Sequence, residues 1–385
     1  MARVLKRVES VDLLRGIIMI IMAIDHTRDF FGNGANPTNL ATTSVALFFT
    51  RWITHYCAPV FFLLTGTGSW LARKNKSPGE LSRYLATRGV WLIVLELFVI
   101  RTTSYQLNFD YHVTILLILW ALGWSMIALA LLVHLDTRVI LAIGLALIIG
   151  HNALDGIKTT NAIWAILHVQ SIIYNQNGYV ILVSYPLIPW IGVTAVGYCL
   201  GQLWDWEPDR RRAFLLRTGA AATVAFVALR ALNVYGDPSR WTTQKDAAFT
   251  LLSFLNVTKY PPSLLFLLMT LGPALMLLAW LDRRGDAVPK PVLVIGRVPL
   301  FYYALHFCVI HLASGVFSWV KFGDFATMFR SPDLAHYPFT APPGWGLSLP
   351  AIYMVWALVV IGVYPACRWF ADLKRRRTEW WLSYL

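Results

Sequence analysis

The chain has 385 residues, of which 57% are hydrophobic and only 14% charged, with a mean hydropathy of +0.57 and a formal net charge of +13. A soluble protein of this length would divide into two or more domains and carry charge on nearer a quarter of its residues. Here the apolar residues fall in repeated runs of about twenty, the length that crosses a bilayer core. A soluble enzyme is excluded, and the expected fold is an all-α integral membrane protein, one polytopic domain over 1–385.

In chain order, ten spans are expected, near 12–31, 46–71, 84–103, 112–134, 137–151, 184–203, 213–233, 261–281, 292–318 and 348–370. The first follows a basic start but contains Asp12 and Arg15 and is not followed by an A-x-A-like cleavage site, so it reads as a retained helix and not as a signal peptide. The segment 137–151 is short for a span, and a re-entrant or strongly interfacial segment is the alternative there. With the N-terminus in the cytoplasm, 22 of the 33 Lys and Arg fall on the inner side and 10 on the outer, Arg15 being the remaining one. The positive-inside rule then puts both termini in the cytoplasm. Topology accounts for the basic surplus, and a nucleic-acid partner is not expected. Inner connections are short and basic, whereas those at 152–183, 234–260 and 319–347 are longer and richer in aromatic and small polar residues, which places binding or catalytic loops outside. Cys57, Cys199, Cys308 and Cys367 all lie in spans, with no C-x-x-C pair, and read as apolar packing.

The first span carries the main candidates for chemistry. Arg15 and His26 are eleven residues apart, about three turns and roughly 16 Å along one helix face. Ionisable groups at such depths are costly in hydrocarbon and mark a functional site by default. His26 sits among Asp25, Arg28 and Asp29. Neighbours on a helix point about 100° apart, so Asp25 is poorly placed to orient the imidazole, whereas Asp29, three residues on, shares its face. An Asp29 carboxylate accepting from one ring nitrogen would leave the other free as a general base.

Further along, Arg51 and His55 share a face of the second span, and His55 reads either as a second catalytic group or as a histidine bonded between helices. Gly66 and Gly68 suit close helix packing and lack a phosphate-loop pattern. Glu96 and Arg101 are badly spaced to pair with each other, so Glu96 is expected to find Arg51, Arg28 or another buried donor. Lys259 and Tyr260, before Pro261 and Pro262, stand at an outer mouth as substrate contacts. His306 and His311 point about 140° apart on their helix. With no H-x-x-x-H, Cys/His cluster or EF-hand spacing in the chain, no metal is expected.

The runs RVESVDLLRGIIMIIMAIDHTRDFF, HYCAPVFFLLTG, SYPLIPWIGV, NVTKYPPSLLFLLMTLGPALMLL and GRVPLFYYALHF, spread from Arg7 to about His311, resemble the bacterial relatives of heparan-α-glucosaminide N-acetyltransferase. More distantly, Arg15 and His26 are similar to the R-x10-H signature of the acyltransferase-3 proteins. Both groups are transmembrane acyltransferases, and the resemblance implies transfer of an acetyl or other acyl group from cytoplasmic acyl-CoA to an acceptor on the far side. His26 then matches the signature histidine and Arg15 the signature arginine. In the eukaryotic heparan enzymes the histidine usually discussed lies in the connection before the second span. Residues 33–50 contain no histidine here, which leaves that role to His26 alone or to His26 with His55.

The expected function is therefore an integral-membrane acyltransferase of a bacterial inner membrane. His26, Asp29, Asp25 and His55 form the catalytic set, and Arg15 holds acetyl-CoA or another acyl-CoA. Arg28, Arg51, Lys259 and Tyr260 bind a hydroxyl or amine acceptor, expected to be a sugar or glycan. Membrane lipids are further partners, and a homo-oligomer is left open. The alternative is a transporter or flippase of a small anionic solute, whose pathway the same buried charges would form; against it, no repeated halves are visible.

Overall fold

A computed structural model describes residues 8–74, 76–157, 159–330, 339–377, 379 and 382. The chain is 72% helical. Among the described residues seven helical stretches are long and apolar enough to cross a membrane: Val45–Arg73, Thr137–Leu154, Leu187–Asp205, Pro208–Leu232, Leu264–Ala287, Pro299–Phe322 and Leu349–Arg376. These fall on seven of the ten expected spans. The other three lie on α1 (Glu9–Phe31), on α4 (Pro78–Val94) with the π-helical turns Leu95–Tyr105 that extend it, and on α5 (Ile118–Leu132). The first two carry several ionisable residues each, and the third is only 15 residues long.

The charges of α1 are tolerable because the helix is not lipid-facing. It packs against α2 (Val45–Thr54), α3 (Cys57–Arg73), α11 (Leu264–Arg284), α12 (Lys290–Arg297), α13 (Pro299–Phe322) and α14 (Leu349–Arg376). Asp12, Asp25 and Arg28 are all buried with its apolar residues. Large apolar side chains face outward instead on the peripheral helices, including Leu131 of α5, Val224 of α9 (Pro208–Leu232), and Met354, Leu358 and Ile361 of α14.

Small residues set the closest helix crossings, as expected where lipid supplies no hydrophobic drive between helices. A Cβ on Gly16 would meet the Val292 carbonyl oxygen, and one on Gly296 would meet that of Asp12, so α1 and α12 touch backbone to backbone. Gly66 and Gly197 do the same for α3 and α8 (Leu187–Leu200), where Thr67 Oγ1 also donates to the Gly197 carbonyl at 3.0 Å. Gly68 has open space around it. The packing expected at Gly66 is present, and that at Gly68 is not.

Three features depart from a plain bundle. The second span breaks between α2 and α3, where His55 caps α2, and the ninth divides into α12 and α13 at Val298–Pro299. Proline fits the start of α13 because its missing N–H would be unpaired there anyway. A small sheet also adds to the all-α expectation. Strand β1 (Val113–Leu116) pairs parallel with β3 (Tyr179–Val183), and β2 (Ser171–Gln176) pairs antiparallel with β3. Asn177 and Gly178 join β2 to β3 with positive φ at both residues, the conformation that an Asn-Gly hairpin turn requires. The expected span at 112–134 thus begins late because β1 takes its first residues.

Candidate active site

His26, near the end of α1, meets α13. Its Nδ1 lies 2.7 Å from His306 Nε2, and His306 Nδ1 lies 2.8 Å from the Tyr302 carbonyl oxygen one turn back on α13. A carbonyl only accepts, so His306 Nδ1 carries the proton and donates. In the neutral ring its Nε2 is then an acceptor, and His26 Nδ1 must donate to it. The series fixes the tautomer of His26 and leaves a lone pair on Nε2, for which no hydrogen-bond partner occurs among the described residues. Phe307 stacks on the His26 ring at 3.9 Å between centroids, and Tyr303 meets it edge-on at 6.3 Å. The imidazole is therefore held in position by α13, while remaining partly exposed.

The carboxylate expected to orient His26 does something else. Asp29 pairs with its neighbour Arg28 at 2.8 Å, and its side chain is 36% exposed. The shared face of His26 and Asp29 was necessary for the expected bond but not sufficient, because a guanidinium lies within reach of the carboxylate. His306, set aside in the sequence because it makes no metal pair with His311, supplies the contact from a helix 280 residues away.

Asp25 is the centre of a separate buried cluster. One of its oxygens pairs with Arg28 at 2.7 Å, the spacing of three that the sequence allowed, and the other is bonded by Arg51 from α2. His55 makes no bond to Arg51: it is 3% exposed, packs its ring on Phe266, and leaves Nδ1 without a partner. Among the described residues His26 is contacted by His306, Tyr303 and Phe307, and His55 is not part of that group. Glu96 finds neither Arg51 nor Arg28, but accepts from the backbone N–H of Trp120 at 2.7 Å.

Lys259 and Tyr260 belong to the same neighbourhood, since Lys259 acts electrostatically on both Asp25 and His26. Tyr260 meets the Tyr185 ring edge-on at 5.3 Å. Two residues not singled out in the sequence hold this segment in place. Arg230, 1% exposed, donates to the carbonyls of Ser239, Ser253, Phe254 and Asn256. Asp237 accepts from the Thr258 N–H at 2.8 Å and from Ser263 Oγ at 2.6 Å. A lone arginine near the end of an apolar span is the sequence signal that could have found such an anchor.

A cavity of about 500 Å³ opens at the end of α1, lined by Arg28, Asp29, Asn33, Asn36, Ser44 and Tyr105 among others. Its size suits a small ligand, and its polar wall suits one that carries several hydroxyls. Arg15, at the other end of α1, pairs with Asp12 at 2.8 Å and donates to the Gly296 carbonyl at 3.2 Å. It is 21% exposed.

The site is thus a tautomer-fixed histidine beside a buried carboxylate–guanidinium cluster, within a bundle of helices long and apolar enough to cross a membrane. A family profile described as "Heparan-alpha-glucosaminide N-acetyltransferase, catalytic" matches residues 7–236, more than half of the chain. The chain belongs to this acetyltransferase family. No curated protein matches it. The matched residues contain His26, Asp25, Arg28, Asp29, Arg51 and His55, whereas Lys259, Tyr260 and His306 lie beyond them.

Proposed function

We propose that the chain moves an acetyl group, or another acyl group, from cytoplasmic acyl-CoA to a hydroxyl or amine of a sugar-like acceptor on the far side of the membrane. The observation that carries this reading is the His26–His306–Tyr302 series, which leaves His26 Nε2 basic and only partly covered. In the proposed step, Nε2 takes the proton of the acceptor hydroxyl or amine as that group attacks the thioester carbonyl. The tetrahedral intermediate collapses with cleavage of the C–S bond, and the CoA thiolate leaves with the proton that His26 held. The same Nε2 lone pair is equally suited to attack the thioester first and carry the acyl group to the acceptor, with the proton balance unchanged over the cycle.

The two ends of α1 serve the two substrates in this reading. Arg15 offers a partly exposed guanidinium to the polyanionic donor. The cavity at Arg28 and Asp29 takes the acceptor, where the exposed Asp29 carboxylate accepts from a substrate hydroxyl. The regular helix puts about 16 Å between Arg15 and His26, a separation that an extended pantetheine arm can span. Ten spans with both termini in the cytoplasm are part of the proposal. Contacts between loop ends support it: Leu347 N bonds the Phe31 carbonyl and Leu264 N bonds Asn152 on one side, while Trp70 reaches Asp205 and Ser10 reaches Asp282 on the other. Family membership favours the enzyme over a transporter of anionic solutes.

Turnover of radiolabelled acetyl-CoA by purified full-length protein, with a panel of amino sugars and sugar alcohols as acceptors, tests the reading. Acceptor-dependent release of CoA that His26→Ala abolishes is the expected result. Solute uptake by reconstituted vesicles with no release of CoA would replace the enzyme with the transporter.

A further inference from the structure

Among the described residues one group of His, Cys, Asp or Glu side chains is close enough to hold a metal ion, and it lies away from His26. It consists of His151 at the end of α6 (Thr137–Gly150), Asp155 in the turn that follows, and His168 after the short helix α7 (Ala162–Leu167). Their ligand atoms all lie within 4.8 Å of one another. His168 Nε2 and Asp155 Oδ1 are 3.2 Å apart. That is the spacing of two ligands in a tetrahedral zinc site, roughly 3.3 Å when each metal bond is about 2.0 Å. Only His151 has to move in.

His151 gives the independent sign that a ligand belongs here. Its side chain is 2% exposed, yet neither Nδ1 nor Nε2 makes a hydrogen bond. A neutral imidazole has one N–H and one lone pair, and burying both unsatisfied is costly. The Pro262 carbonyl stands near the ring and suits the N–H. Nothing similar serves the lone pair, which a cation bound to Asp155 and His168 would satisfy. The support around the group also resembles that of a built site. Asn152 Nδ2 donates to Asp155 Oδ2 at 2.9 Å, and Asn152 Oδ1 accepts from Leu264 N at 2.8 Å.

We propose that His151, Asp155 and His168 bind a divalent transition-metal ion, with zinc the natural occupant, and that this ion clamps the end of α6 to the segment that follows α7. Two imidazoles and one carboxylate suit such a cation, and leave a fourth position for water. The proton on His168 Nε2 leaves that nitrogen as the metal binds, moving to Nδ1 or to solvent. Through Asn152 and Leu264 the clamp bears on residues 256–263, which carry Lys259 and Tyr260. Its role is structural and does not depend on the acyl-transfer chemistry proposed above. Sequence spacing concealed the group because the two histidines are 17 positions apart, separated by a helical turn and by α7.

The full-length protein on a histidine-free affinity tag, washed with chelator and re-equilibrated with micromolar zinc chloride, provides the test. Elemental analysis should find one zinc per chain, the thermal midpoint should rise by several degrees on zinc addition, and amide exchange over 256–263 should slow. Asp155→Asn, close in size and able to keep the bond from Asn152, should lose the zinc and the stabilisation, as should His151→Gln. His26→Ala should keep both. Chelated wild-type protein that takes up no zinc and shows no change in midpoint overturns the site without recourse to any variant. Zinc retained undiminished in both Asp155→Asn and His151→Gln overturns it equally, as binding elsewhere on the chain.

Discussion

His26 of α1 and His306 of α13 share a hydrogen bond of 2.7 Å between Nδ1 and Nε2, across 280 residues of sequence. The partner of the candidate base is thus another imidazole, itself fixed by a backbone carbonyl. A carboxylate in that position would draw positive charge onto His26. A neutral imidazole sets the tautomer and ring angle without placing a second charge beside the reacting atoms.

This relationship makes His306 a positioning residue with a measurable signature. General-base assistance is worth about 10²–10⁴-fold, and His26→Ala should lose turnover on that scale. His306→Ala should lose less, in kcat and not in the KM for acetyl-CoA, because Nε2 of His26 survives but is no longer held. His306→Gln, whose side-chain oxygen can accept from His26 Nδ1, should recover part of the loss. A purely structural His306 would instead lower the yield of folded protein while leaving the kcat of the remainder intact.

Asp25 and Asp29 of α1 should separate by role, one in stability and the other in acceptor binding. Asp25 is 8% exposed and compensates both Arg28 and Arg51, so Asp25→Asn strips the buried Arg51 of its carboxylate partner and leaves Arg28 with Asp29 alone. Breaking a buried pair in this way costs about 3–5 kcal/mol. Thermal unfolding in detergent should show Asp25→Asn strongly destabilised. Asp29→Asn, at the cavity wall, should unfold near the wild-type temperature and show a raised KM for the acceptor alone. Equal stability of the two variants would contradict the cluster described here.

Much of the fold was legible because membrane burial follows composition: runs of apolar residues mark the spans, and His26 and Arg15 stood out as charges where charge is costly. Partner choice was not legible. Helical periodicity gives the faces of one helix, on which Asp25 can reach Arg28 or Asp29. It says nothing of which helix lies opposite, so His306 was missed and Asp29 was given its place. The breaks at His55 and at Pro299 were hidden for a related reason, since each half remains apolar through the break. The Asn177–Gly178 hairpin was readable from its turn chemistry, but sat in a connection assigned only as a loop.

Helix packing offers a matched pair of substitutions two residues apart in α3. A Cβ at Gly66 meets the backbone of Thr194 and Tyr198, which has no room to give, whereas a Cβ at Gly68 meets nothing. Overpacking costs about 1–3 kcal/mol and more where backbone must move. Gly66→Ala should lower the thermal midpoint clearly and Gly68→Ala should leave it in place or raise it slightly. Comparable losses in both would mean that α3 and α8 are not in backbone contact.

Topology is open to direct labelling. Thr159 and Thr340 are exposed in connections expected outside, and Ala287 is exposed in one expected inside. Single cysteines at these positions, in a background with the four native cysteines replaced, should react with an impermeant maleimide from outside in intact cells at 159 and 340 only. Position 287 should react only after permeabilisation. Labelling of Thr159→Cys or Thr340→Cys only after permeabilisation would invert the arrangement and remove the far-side acceptor from the proposed reaction.

The last prediction concerns Arg15, which has two competing roles. Its bonds to Asp12 and to the Gly296 carbonyl are enough to explain a guanidinium at the α1–α12 crossing, where the backbones touch. Its remaining exposure of 21% leaves part of the group available to an anion from the cytoplasmic side. The two roles respond differently to substitution. Arg15→Lys keeps a charge that can still pair with Asp12, but loses the planar fork that binds phosphate through two donors at once. If Arg15 serves the donor, this variant should fold normally and show a KM for acetyl-CoA raised about tenfold or more, with acceptor KM unchanged; one charge-assisted hydrogen bond is worth roughly that much. Asp12→Asn should release Arg15 from its partner without removing it, so donor affinity should hold or improve while stability falls modestly. Donor affinity unchanged in folded Arg15→Lys and lowered in Asp12→Asn would assign Arg15 to the helix crossing alone.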